Sequence, residues 1–161
     1  MKTPLQEPTR EAGATQRRLE AERHLNHPHC VVCGNTNGHG LHLDFAAAAD
    51  GSVSAVFQCE ESLEGYAGVV HGGMVSSLLD GAMTNCLFAR GIVAVTAEIT
   101  VRFQRLLRIG EPAQVRAWVT RSTPHLHFLA AEITQSGSVA ATARAKFRRP
   151  PNSPSQGQER S

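Results

Sequence analysis

The segment from Gly72 to Ala89 constrains the fold more than any other stretch. Met74, Val75, Leu78, Leu79, Ala82, Met83, Cys86 and Leu87 recur as pairs at four-residue spacing, which predicts one helix with a wide apolar stripe. Arg90-Gly91 supplies the stop signal. Between Glu64 and Arg90 the only formally charged residue is Asp80, and His71 is the one other candidate for charge. A helix this poor in charge needs cover over most of its surface.

The flanking patterns offer that cover. Leu41, Leu43, Phe45 and Ala47 alternate with other residues, as do Val53, Ala55 and Phe57, and Asp50-Gly51 between them predicts a hairpin. A loop, Glu60 to Val70, leads into the helix. After it, Val93, Val95, Ala97, Ile99, Val101 and Phe103 are expected to face one way, and Thr96, Glu98, Thr100, Arg102 and Gln104 the other. Gly110-Glu111-Pro112 breaks the chain before Ala113, Val115, Ala117 and Val119 resume the alternation. Ser122-Thr123-Pro124 and Ser136-Gly137 then separate two further strands, Leu126 to Thr134 and Val139 to Arg148. Two strands, one long helix and four strands make an α+β fold, an antiparallel sheet of five to six strands wrapped around one central helix. Residues 1–26 are expected to be a tail with a short exposed helix over Thr15 to Leu25, residues 27–149 the folded domain, and residues 150–161 a second disordered tail.

Charge and composition exclude several classes. A net charge of +2 on 161 residues is too mild to imply nucleic acid as a partner. No run of eighteen apolar residues occurs, so no membrane span is expected. Met1 to Glu20 lacks the apolar centre of a secretory signal, and Cys30, Cys33, Cys59 and Cys86 do not form a disulfide framework. A reducing cytoplasm is the expected setting.

Chemistry centres on Asp80. A mid-helix carboxylate flanked by Leu78, Leu79, Gly81 and Ala82 is costly to bury without a partner. Either it faces solvent at the helix edge or it is kept there for a reaction. Gly72-Gly73 at the helix start is open to two readings as well. It is a tight turn needing glycine, or it presents bare N–H groups at a positive helix end to a polarised carbonyl. Gly72 and Asp80 lie roughly 12 Å apart along one helix at 1.5 Å per residue. One reacting carbonyl cannot touch both. If both act on one substrate, they come from different subunits, and a symmetric homodimer, or a dimer of dimers, is required.

The run Gly65-Tyr-Ala-Gly-Val-Val-His-Gly-Gly-Met-Val-Ser-Ser-Leu-Leu-Asp-Gly-Ala-Met83 resembles the central helix of PaaI-like acyl-CoA thioesterases of the hotdog superfamily. Val95 to Phe103 resembles the strand that follows it, and Cys30-Val-Val-Cys33-Gly34 with Asn37-Gly38 and Gly40-Leu41-His42-Leu43 resembles the N-terminal segment of one branch. The resemblance implies hydrolysis of an acyl-CoA, with Asp80 as general base or nucleophile and the Gly72 N–H, joined by Gly73, polarising the carbonyl. It implies that Thr96 positions the attacking water and that His71 contacts substrate or fixes the loop. Several relatives carry Asn six residues before the His, where this chain has Gly65, so the carbonyl is expected to rely on backbone donors. The alternative is a non-catalytic hotdog protein that binds acyl thioesters or partner proteins. Hotdog hydratase chemistry relies on a catalytic His acting with an acid, which fits this spacing poorly.

Other signals weigh less. Arg102, Arg144 and Lys146 are candidates to pair with the phosphates of coenzyme A, against the plainer reading of a solvated face. Cys30-x-x-Cys33, with His24, His27 and His29 before it, is half of a metal site at most, and a turn holding small buried thiols is the expected reading. No metal or redox cofactor is implied.

Overall fold

A computed structural model of the chain describes residues 10–150. Residues 1–9 and 151–161 of the expected tails lie outside the described residues. α1 spans Arg10–Asn26, β1 Ala46–Ala47, β2 Val53–Gln58, α2 Gly72–Phe88, β3 Val95–Phe103, β4 Pro112–Ser122, β5 Leu126–Gln135 and β6 Ser138–Arg148. The strands form one antiparallel sheet in the order β1-β2-β4-β5-β6-β3, with α2 packed across its inner face. The expected α+β hotdog architecture is what the chain adopts.

Small residues let the helix approach the sheet. Ala131 faces Ala143, Leu129 faces Ala145 and Ile133 faces Ala141 across β5 and β6, and all six are buried. Against this floor α2 buries Val75, Leu78, Leu79 and every residue from Gly81 to Phe88.

Two corrections concern the N-terminal third. The strand expected over Leu41–Ala47 shrinks to Ala46–Ala47. Its backbone groups are spent elsewhere: the Leu41 and Leu43 N–H groups donate to the Val31 and Val32 carbonyls at 2.8 and 2.9 Å. The side chain of Gln16 takes the rest, donating to the Phe45 carbonyl and accepting from the Ala47 N–H. The helix expected over Thr15 to Leu25 begins at Arg10 and is not merely an exposed appendage, because Leu19 is fully buried against the core. Leu19 is its sole buried residue, so it carries the apolar part of the docking of α1. Leu19→Ala is expected to cost about 2–5 kcal/mol of stability, read as a lower denaturation midpoint with an unchanged m-value.

Candidate active site

α2 positions one cluster at its start and another at its middle. At the start, His71 is the N-cap, and its Nδ1 accepts the Gly73 N–H at 2.9 Å. This occupies one of the two glycine donors foreseen for a carbonyl. Among the described residues the Gly72 N–H has no acceptor, and Gly72 is exposed at the positive end of the helix. Gly65 packs against His71 so closely that a Cβ there would lie 3.0 Å from the His71 Cα.

Gly72 also lines a largely apolar cavity of about 310 Å³, walled by Tyr66, Val69, Val75, Phe103 and Leu106. Tyr66, Phe103 and Leu106 are strongly exposed for their size, at 88, 56 and 65%. The periodicity of α2 and β3 gave no hint of this wall, since Tyr66 and Leu106 sit in loops. Exposed apolar residues in two glycine-bounded loops were the available signal.

Two turns on, Asp80 is half-buried, and its Oδ1 accepts a 2.6 Å hydrogen bond from the Thr96 hydroxyl. Among the described residues Oδ2 has no partner. Strict alternation in β3 would have put Thr96 on the outer face beside Glu98. The structure corrects this with a β-bulge between Thr96 and Glu98, where Ala97 has no partner in the ladder. Thr96 then pairs with the buried Phe147, whereas Glu98 pairs with the exposed Lys146. The bulge is what delivers a hydroxyl to Asp80.

Burial raises the Asp80 pKa above the ordinary carboxylate range, and the Thr96 hydrogen bond opposes that rise. The Cys30 sulfur adds to the rise and His27 pulls against it. His127 is buried in the same cross-strand row as Phe147 and Thr96. Its Nδ1 bonds Ser122 at 2.7 Å, and burial lowers its pKa.

The chain thus gathers Asp80 with Thr96, and His71 with Gly72 and Gly73. It does not bring Arg102, Arg144 or Lys146 to either group. Arg144 pairs with Thr100, and Arg102 with Thr142, on the sheet face opposite α2. Lys146 is held by Glu98 at 2.8 Å.

β3 is the last strand of the sheet, and most of its nine residues are exposed. Among the described residues its outer edge is a row of unpaired backbone groups. No helix among the described residues is long and apolar enough to cross a membrane.

Comparisons with known proteins bear on this geometry. The sequence model described as "Thioesterase superfamily" matches residues 67–142, which contain the whole of α2 and β3. Human acyl-coenzyme A thioesterase 13 is 24% identical over 98 residues, covering 60% of this chain and 70% of that protein. The Escherichia coli PaaI protein from the phenylacetic acid degradation operon superposes with a TM-score of 0.72 at 19% identity, over 86% of this chain and 94% of that one. A Streptococcus mutans protein solved bound to acetyl CoA superposes with a TM-score of 0.62 at 17% identity, over 67% of this chain and 91% of that one.

Proposed function

We propose that this chain, whose residues 67–142 match the thioesterase superfamily model, hydrolyses an acyl-CoA, or a related acyl thioester, to free acid and thiol. The observation that carries this reading is the 2.6 Å hydrogen bond from Thr96 to an Asp80 whose other oxygen is unpartnered. With Oδ1 fixed, Oδ2 is the oxygen left to take a proton from water. That water attacks the thioester carbon, the carbonyl oxygen collects negative charge, and the C–S bond breaks to release the thiolate, which is then protonated. As a nucleophile, Oδ2 would instead form a mixed anhydride that water opens. Single turnover in labelled water bears on the routes, because label on Asp80 arises only from the second, when water attacks the Asp80 carboxyl carbon.

The developing oxyanion needs donors that are already in place. The Gly72 N–H meets that need, and Gly73, bound to His71, does not. His71 is accordingly a positioning residue. Gly72 lies roughly 12 Å from Asp80 on the same helix. A two-fold axis beside the free edge of β3 pairs the Asp80 of one subunit with the Gly72 of the other. The apolar cavity beside Gly72 suits the chain of the substrate. Of the three basic candidates, Arg102 sits on the edge strand itself and is the one retained for CoA phosphate.

The test is thiol release from a panel of acyl-CoAs of differing chain. Release from at least one is expected. Binding without release from any would replace this reading with that of a non-catalytic acyl-thioester receptor.

Thr96→Val supplies a finer check. Removing the hydroxyl removes the hydrogen bond that does most to lower the Asp80 pKa. The acid limb of the kcat/KM profile, which marks ionisation of the base, is expected to move to higher pH with a roughly tenfold or greater loss of rate. An unmoved limb would detach Asp80 from the rate.

A further inference from the structure

A second cluster lies where α1 runs into the core, near enough to Asp80 for Cys30 and His27 to bear on its charge. After Asn26 the chain turns sharply through His27, Cys30 and Cys33. The Gly34 N–H donates to the Cys30 carbonyl at 2.9 Å, and the Val32 N–H points at the Cys30 sulfur at 3.4 Å. A Cβ on Gly34 would fall 2.4 Å from the Cys30 nitrogen, so only glycine closes this turn. The result is a knuckle that presents both sulfurs to one point.

His27 completes the arrangement. Its Nδ1 stands 3.9 Å from the Cys33 sulfur, and one ligand atom from each of His27, Cys30 and Cys33 lies within 4.8 Å of the others. Tetrahedral zinc with Zn–S of about 2.3 Å and Zn–N of about 2.0 Å sets its ligands roughly 3.5–3.8 Å apart, so a small contraction seats the ion. The His27 ring is oriented by an edge contact to the buried Phe88, 5.0 Å between centroids. Asn85 faces the Cys33 sulfur from α2, fully buried, with an Oδ1 that has no partner. A cavity of about 220 Å³, walled by Glu20, Arg23, His24, His27, Cys33 and Asn35, opens onto the cluster. Of the other nearby histidines, His29 bonds Thr36 and His42 bonds the Gly34 carbonyl, while His24 lines the cavity.

We propose that His27, Cys30 and Cys33 bind one thiophilic divalent cation of the zinc type, with water from the cavity as fourth ligand. The site is a clasp. It ties the loop after α1 to itself, and the Val32 of that loop packs against Gly81 of α2 so tightly that a Cβ on the glycine would lie 2.7 Å away. Gly81 adjoins Asp80, so the loop that the ion would hold rests on the stretch of helix that carries the proposed base. This assignment does not depend on the thioesterase reading, and it departs from the sequence expectation of buried thiols without a metal.

The full chain, purified under reducing conditions and stripped with chelator, is titrated with Zn²⁺ and with Co²⁺. One equivalent is expected to bind. Co²⁺ should give intense sulfur-to-metal absorption bands, and Zn²⁺ should raise the Tm. His27→Ala and Cys30→Ser should lose the bands and the Tm shift, whereas Cys59→Ser and Asp80→Asn should keep both. Cys30 is the less buried of the two sulfurs, so its variant is the one expected to fold. Absence of binding to the wild type, binding that survives His27→Ala, or binding lost in Asp80→Asn would each overturn the assignment. So would recovery of the native chain with Cys30 and Cys33 joined as a disulfide.

Discussion

Asp80→Asn is expected to lower kcat for acyl-CoA hydrolysis by about 10²–10⁴-fold without weakening the fold. The amide keeps an oxygen to accept the Thr96 hydroxyl, so the 2.6 Å contact survives while the proton acceptor is lost. Stability should move the other way from activity. Burial holds the Asp80 pKa above its unfolded value, so the folded chain binds this proton more tightly than the unfolded one does. Stability from this group is therefore full at acid pH and is lost as pH rises from the ordinary carboxylate range through the raised value. At neutral pH the variant escapes that cost, and its Tm should equal or exceed that of the wild type. Rate assays and thermal melts on one preparation check both halves. Retained activity would remove Asp80 from the chemistry, and a collapsed Tm would make its role structural.

The residues differ in how far they could be read before folding. Pairs of apolar residues at four-residue spacing located α2 because a helix packed on a sheet has no other way to satisfy its surface. The lone charge on that helix stood out for the same reason. Thr96 was legible only through resemblance, since strict alternation places it on the wrong face. The Ala97 bulge has no mark in composition, because alanine is ordinary in a strand and the irregularity arises from how β3 meets β6. The β1 region failed differently. Leu41 to Phe45 has the alternation of a strand, but its backbone groups pair with the 31–32 loop and with Gln16, about thirty residues away in sequence. Local periodicity does not report partners that distant. The Gly72-Gly73 pair was resolved by one contact, since His71 claims Gly73 and leaves Gly72 open.

Gly72→Pro isolates that remaining donor. Gly72 is the first residue of α2, where proline is favoured and its missing N–H is no loss to the helix. His71 before it has φ −60° and ψ 133°, the extended region that a following proline demands. A Cβ at this position meets the Phe103 ring at 3.5 Å, an ordinary contact. The fold should therefore stand, while hydrolysis falls by about 10²–10³-fold, the usual loss for one oxyanion donor. The variant also tests how the site is shared. If each site takes Asp80 from one subunit and Gly72 from the other, a mixed dimer of Asp80→Asn and Gly72→Pro chains puts both lesions in one site and leaves the second intact. Each mixed dimer then works at about half the wild-type rate, and random mixing recovers about a quarter of the activity. If a single chain supplied both groups, every site in the mixture would carry one lesion, and no activity would return.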